Sequence, residues 1–347
     1  MKTRSAAIQG TLALVGLIAA YVTWQRPRET LKAESVVIAD ASRNSLERIK
    51  YEDGFRSVEL EKKDRFLVTL AFLPGKRPVF DAGVPGLIEM DAGVDGGTIQ
   101  VSVRPPEPAP DRTVFANDRA DTIWAKLTPF EGSRALGQLS KEKLDEVGLT
   151  GSERKLELQI SGIVRRFTIS RPVQGLIGNY AQDEKTGDVF VIGSSLFNDL
   201  DPNSQVLVDR RLHQFKQPEY DAFVVKSGGK EASLVQTGAE IPQTAKVARA
   251  ATPDKPDELA KNWHDKIWNR LIVTEVLAAG ENPKAGPVET QMTIQYSFKG
   301  KSKGFIELGI DPMKATWART ENTPGWVAIH QGSEEIIIEG QKQIVGL

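Results

Sequence analysis

The chain contains no cysteine. That excludes disulfides, thiolate metal sites, iron–sulfur clusters and cysteine nucleophiles together, and it leaves stability to the core alone. Histidine is scarce too: His213, His264 and His330 are the only three among 347 residues, scattered and without ligand spacing. Charge of one sign is not in excess, because 45 lysines and arginines stand against 46 aspartates and glutamates along the whole chain. A nucleic-acid binder needs a basic surplus or a basic face to neutralise phosphate, so no nucleic-acid partner is expected. With 40% hydrophobic and 26% charged residues the chain is a folding one, long enough for two ordinary domains.

One long apolar run stands out. Ala6 to Trp24 (AAIQGTLALVGLIAAYVTW) carries no charge, with Lys2 and Arg4 before it and Arg26 and Arg28 after. As a helix it would span roughly 28 Å, close to the hydrocarbon thickness of a bilayer. Ala6, Leu12, Leu14, Leu17 and Ile18 would face lipid, and Tyr21 and Trp24 sit where interfacial aromatics belong. A cleaved signal peptide, with Ile18-Ala19-Ala20 as its small-residue site, and a buried core helix compete with this reading. The run continues past that site to Trp24, which favours an uncleaved anchor with the body on the far side of the membrane. Ala6, Gly10, Ala13, Gly16 and Ala20 could also form a helix-packing face.

The rest of the sequence reads as written twice. Asp121-Thr-Ile-Trp-Ala-Lys-Leu127 recurs as Asp265-Lys-Ile-Trp-Asn-Arg-Leu271, with five of the seven positions identical or similar. Strand-like runs follow in the same order: LELQIS (156–161) and RRFTIS (165–170), then MTIQYS (292–297) and GFIELGI (304–310). A hairpin-like segment comes next in each half, with Tyr180-Ala181 matching Trp317-Ala318 and Val189–Ile192 matching Trp326–Ile329. Trp124, Trp268, Tyr180 and Trp317 are therefore read as repeat-equivalent core positions rather than a binding stack. Each half opens with a hairpin, turning at Asp53-Gly54 in the first and at Gly228-Gly229 in the second.

The expected fold class is α+β: an N-terminal transmembrane helix followed by two tandem repeats of an antiparallel-sheet-plus-helix module. The domains are an anchor at 1–30, a first module at 31–216 and a second at 217–347. Asn117 or Asp118 is expected to cap the first helix and Ser140 a short one over KEKLDEVG. The second module's helix carries Leu259, Trp263, Ile267 and Leu271 as its apolar stripe. Residues 74–112, with seven prolines and six glycines, read as an insertion ending in a polyproline-like tail. Residues 238–257 read as a long loop, either an interaction segment or a plain connector.

No catalytic constellation emerges. Gly300-Lys301-Ser302 ends like a phosphate loop, but position 295 is Gln and the triplet lies in a hairpin turn. Ser152–Lys155 and Ser227–Lys230 match S-x-x-K without the helix turn that this pairing needs. Asp199-Leu-Asp201-Pro-Asn203 begins like a calcium loop, yet Ser204 and Arg210 replace the required Gly and Glu. Helix capping ahead of QVLVDRRL (205–212) accounts for those residues, and His264 is placed at a helix boundary. No catalytic, cofactor-binding or metal-ligating residue is assigned, and no cofactor is expected.

The anchor ending Trp-Gln-Arg-Pro-Arg-Glu, EKLDEVGL (142–149), YAQDEKTGDVFVIGSSLFNDL (180–200) and VDRRLHQF (208–215) together resemble a bacterial family of membrane-anchored proteins known as domain of unknown function 4340. Departures are the proline-rich insertion and the looser second module. Members of that family are encoded beside ABC-type transporters of the gliding-motility kind. The resemblance implies a non-catalytic accessory or scaffold subunit of such a transporter or envelope complex, in the inner membrane with its body in the periplasm. The alternative is a binding module for a lipid or glycan in the cleft between modules.

Overall fold

A computed structural model describes residues 35–76, 86–91, 98–103, 111–171, 178–203, 205–241, 244–330 and 332–347. Strand β1 (Val36–Ala39) precedes β2 (Leu46–Glu52), β3 (Arg56–Lys62), β4 (Phe66–Phe72), the pair β5 (Gly86–Asp91) and β6 (Thr98–Val103), and β7 (Arg112–Phe115). Helix α1 (Arg119–Lys126) leads to β8 (Phe130–Gly132), β9 (Arg134–Gln138), α2 (Lys141–Glu146), β10 (Lys155–Ile160) and β11 (Ile163–Ile169). Then come β12 (Asn179–Asp183), β13 (Asp188–Ile192) and α3 (Ser195–Asp199). A connector over 205–216 passes to β14 (Ala222–Ser227), β15 (Lys230–Thr237), β16 (Lys246–Arg249) and α4 (Glu258–Arg270). The chain closes with β17 (Val273–Val276), β18 (Glu289–Phe298), β19 (Lys301–Ile310), β20 (Thr316–Thr320), β21 (Val327–Ile329) and α5 (Glu334–Glu339).

The fold is α+β, mostly antiparallel sheet with few helices. Nine strands form one sheet in the order β7-β4-β3-β2-β10-β11-β12-β13-β9, and eight form another in the order β16-β15-β14-β18-β19-β20-β21-β17. In each, an opening hairpin is joined by the first long strand after a helix, the next three strands follow in chain order, and an earlier strand, β9 or β17, closes the edge. Registers correspond as well: Tyr180 lies opposite Val191, and Trp317 opposite Ala328.

Period-two alternation builds these strands. Leu156 and Leu158 of β10 are wholly buried while Glu157 and Gln159 point outward, and Ile49, Tyr51, Val58 and Leu60 of β2 and β3 share the inner face. Each such fully buried large aliphatic stabilises by about 1.5–3 kcal/mol. Helix α1 buries Ala120, Ile123, Trp124 and Leu127 at helical spacing. Its first turn is capped by Asn117, whose Oδ1 accepts from Arg119 N at 3.0 Å. Ser140 caps α2 as expected, accepting from Lys143 N. The turn between β14 and β15 places Gly228 and Gly229 at φ of 53° and 76°, the left-handed pair that a two-residue hairpin requires.

Several expectations are corrected. QVLVDRRL is not helical: Gln205 takes a left-handed φ of 50°, Val206 and Leu207 form a turn closed by Val208 N donating to Gln205 O, and Val208 bridges to Ala116, with the Asn117 amide donating to Val206 O and Val208 O. The 238–257 loop contains β16, because Val247 and Ala248 find burial at the edge of β15. The 74–112 insertion carries the β5–β6 pair, and its last residue, Arg112, belongs to the main sheet as the start of β7. The polyproline-like tail at 104–110 lies outside the described residues.

The stripe of α4 is rotated from its expected phase. Leu259 is 61% exposed, while Ala260, Trp263, His264 and Ile267 face inward, so His264 is a core residue and not a boundary one. The anchor residues Ala6, Leu12, Leu14, Leu17, Ile18, Tyr21 and Trp24 lie outside the described residues. Among those described, no helix is long and apolar enough to cross a membrane.

The rotation has a measurable consequence. Leu259→Ser should change stability by no more than about 0.5 kcal/mol, whereas Trp263→Ala should cost about 3–5 kcal/mol in denaturant unfolding. Equal costs would contradict this placement of the helix.

Candidate functional site: the connector between the sheets

The polar groups of most consequence gather on the connector, where it threads between the two sheets. On the first-sheet side is Asp209, its side chain 1% exposed. It accepts from Arg65 Nη2 at 3.2 Å, and from Arg211 through Nε and Nη2, each at 3.0 Å. Arg211 also grips Asp118 with two bonds of 3.1 Å, so one guanidinium holds two carboxylates. Its hydrogen bonds to Asp209 push its pKa up, while burial lowers that of Arg65 against the opposing pull of Asp209. Arg65 lies over the Phe115 ring at 4.0 Å. With its amide oxygen turned inward, Gln214 accepts from the same guanidinium at 2.9 Å.

The other side of the connector belongs to the second sheet. Asn322 donates to Arg211 O at 2.5 Å, and the Thr320 hydroxyl donates to Leu212 O. The His213 side chain is almost wholly buried, and its Nδ1 donates to Glu321, 3.0 Å from Oε1. Glu321 also accepts from Phe305 N at 3.0 Å. Phe215 lies so close to β19 that a Cβ on Gly304 would stand 2.6 Å from its ring, which explains why glycine occupies that position. Farther along the junction, Arg112 of β7 donates to Val276 O of β17 at 2.6 Å and pairs with Glu275 at 3.0 Å.

Behind His213 lies a closed aromatic cluster. Trp268 is 5.1 Å from His213 and stacks on Tyr220 at 5.6 Å, while Phe223 stacks on His264 at 4.2 Å. The Trp268 indole donates to His264 Nε2 at 3.3 Å, so that nitrogen is an acceptor and the proton of the neutral ring sits on Nδ1. Tyr296 Oη lies at the same distance from Nε2. Burial drives the His264 pKa down to about 3, with His213 and Lys261 pushing the same way. Burial raises the Tyr220 and Tyr296 hydroxyls above their ordinary range, so both keep their protons.

Of the four repeat-equivalent aromatics, only Trp268 reaches this site. Trp124 is wholly buried in the first core, 5.1 Å from Phe66, with its indole donating to Arg43 O. Tyr180 is half-buried on β12, and buried Trp317 donates to Asp311 Oδ2 at 3.1 Å. Sequence reasoning missed Arg65, Asp209, Arg211, Asn322 and Glu321 as a group. The signal available was VDRRLHQF itself, which packs an acid, two arginines, a histidine and a glutamine into eight residues.

Open space beside the connector is polar. A cleft of about 460 Å³ is lined by Lys62, Lys63, Arg65, Asp118, Asp121, Arg211 and Gln214 among others, with charges of both signs. One apolar core extends through both sheets, and Phe215, Tyr220, Trp268 and Tyr296 pack together where the connector enters the second sheet. Among the described residues, no group of three or more potential metal ligands occurs.

Comparison with family models, with curated proteins and with solved structures returned no match.

His264 gives the site a pH signature. Its folded pKa of about 3 lies below the ordinary histidine value of 6.5, so the unfolded chain takes up a proton that the folded chain refuses. Stability present above 6.5 is lost progressively as pH falls toward 3. Asp183, Glu184 and Asp257, all held low, add to the loss only in the carboxylate range. Denaturant midpoints followed from pH 7 to about pH 5 should therefore fall in the native chain and stay flatter in His264→Phe. Identical slopes would contradict the neutral, buried state of His264.

Proposed function

We propose that the protein is a non-catalytic accessory or scaffold subunit of an ABC-type transporter or related envelope complex. In this reading the 6–24 segment holds it in a bacterial inner membrane, and the body stands in the periplasm. The observation that carries the reading is the connector clamp. Its carboxylates, guanidiniums and amides bond one another across two sheets, an arrangement that fixes surfaces relative to each other. Asp209 is taken by Arg65 and Arg211, Glu321 by His213 and Phe305 N, and His264 stays neutral. Groups so committed serve positioning better than proton transfer, which needs a base or acid free to meet a substrate. The continuous apolar core through both sheets supports the scaffold reading over the lipid or glycan cleft.

We also infer that the two sheets are tandem copies of one module. Their common strand order, the matching helices α1 and α4 and the shared register at Tyr180 and Trp317 support it. Buried Ile123 and Leu127 of the first recurring heptapeptide answer to buried Ile267 and Leu271 of the second. An overlay that fails to bring Trp124 onto Trp268 with the strands in register would count against duplication.

The partner, an envelope transporter subunit, is tested by purifying the full-length protein from its native membrane in mild detergent and identifying co-purified chains by mass spectrometry. Recovery of ABC transporter subunits in constant ratio to the protein is the expected outcome. Recovery of the protein alone, at every detergent strength, would contradict the accessory role.

A further inference from the structure

The β10–β11 hairpin ends in an apolar tip. Ser161 and Gly162 form its two-residue turn, both with left-handed φ (47° and 78°), which is the tight geometry that fixes a hairpin's direction. Immediately beyond the turn, Ile163 is 69% and Val164 37% exposed. Aliphatic side chains at a hairpin tip gain nothing from water, and the turn at the corresponding place in the second sheet shows the ordinary solution. There, Lys299-Gly300 leads into Lys301 and Lys303.

The tip also sits beside the point where the chain enters the body. Ser161 N donates to Ser45 O at 2.8 Å, Gly162 N to Glu47 Oε1 at 3.1 Å, and Arg165 Nη1 to Ile38 O of β1 at 2.8 Å. Next to Ile38 on β1, Val37 is 52% exposed. The uncharged run ends at Trp24, and a chain of the intervening length reaches at most about 40 Å. The hairpin tip is thus tied to the end of the body that an anchored chain must keep near the bilayer. Glu47, the acidic group nearest the turn, is engaged by Gly162 N and by the Gln159 amide at 2.7 Å. Arg166, farther along the same strand, is half-exposed and pairs with Glu157.

We propose that the Ile163-Val164 hairpin tip dips into the outer interfacial layer of the same bilayer that holds the N-terminal segment. The occupant of this apolar patch is a lipid surface. This proposal rests on the anchored reading above, and it adds a second membrane contact that fixes how the body stands on the bilayer. A rigid tip with two aliphatics inserts shallowly, at the depth where chain and headgroup meet.

Because the chain has no cysteine, a single label can be placed without background. Ile163→Cys and Lys301→Cys variants of the full-length protein, each carrying an environment-sensitive fluorophore, are reconstituted into vesicles of phosphatidylethanolamine and phosphatidylglycerol. The expected result is a blue-shifted emission at position 163 that doxyl-labelled lipid quenches, with neither effect at 301. A chain that floats with the vesicles after alkaline washing but shows no shift and no quenching at 163 overturns the docking proposal alone. A chain that does not float with the vesicles overturns the anchored reading and the proposal together. Equal shifts at both positions also overturn it, because they would report general adsorption of the body.

Discussion

A carboxylate withdrawn from water has to be answered by cations and donors, or the fold loses several kcal/mol. Asp209 is in that position. Its answers come from Arg65 at the β3–β4 turn, from Arg211 two residues on and from the Arg211 amide. Satisfying it draws the connector against the first sheet at the place where α1 begins. The same few residues then turn to the second sheet, so the Asp209 cluster sets where Leu212, His213 and Phe215 are delivered. Remove the anchoring charge and the aromatic cluster has no fixed point of entry.

Everything beyond the connector follows from that entry. His213 can meet Glu321 and Trp268 only if the backbone arrives close to β19, and Gly304 leaves the space for it. Arg112 repeats the principle at the sheet edges, where a buried guanidinium joins β7 to β17 through Val276 O. The two sheets therefore share one continuous apolar core and act as a single body. A rigid body with charged, paired outer faces suits a part that presents surfaces. Arg166–Glu157 on the first sheet and Arg319–Glu307 on the second show how those faces are built from cross-strand ion pairs.

Much of the fold was legible because alternation and turn chemistry are local. The Asp53-Gly54 and Gly228-Gly229 hairpins, the strands over 156–160 and 292–297, and the Asn117 and Ser140 caps are all written within a few residues of where they act. The phase of α4 was not legible, because a histidine reads as polar. Only the tertiary placement of Phe223, Trp268 and Tyr296 around His264 gives its ring a buried site. Strand β16 was hidden in a polar, proline-containing stretch, since Val247 and Ala248 supply only two inward positions. The connector was legible as a dense string of functional groups but not as a clamp. Its partners, Arg65, Asn117, Thr320, Glu321 and Asn322, lie about a hundred residues or more away on either side, and one sequence carries no signal of such pairings. The single turn at Val206–Leu207 reads as the start of a helix, because the Asn117 amide that binds Val206 O and Val208 O is equally remote.

The central claim is that the connector makes two sheets one cooperative unit with Asp209 as its fixed point. Native-state hydrogen exchange on the full chain, with Asp209→Asn beside it, tests that claim most directly. The account predicts that the most protected amides of β2 and β10 and those of β18 and β19 open with one shared free energy. It also predicts that Asp209→Asn, which removes the carboxylate that Arg65 and Arg211 share and leaves Arg211 only Asp118, lowers both sets together by about 3–5 kcal/mol. Separate opening energies in the native chain, or a loss confined to the first sheet in the variant, would contradict it.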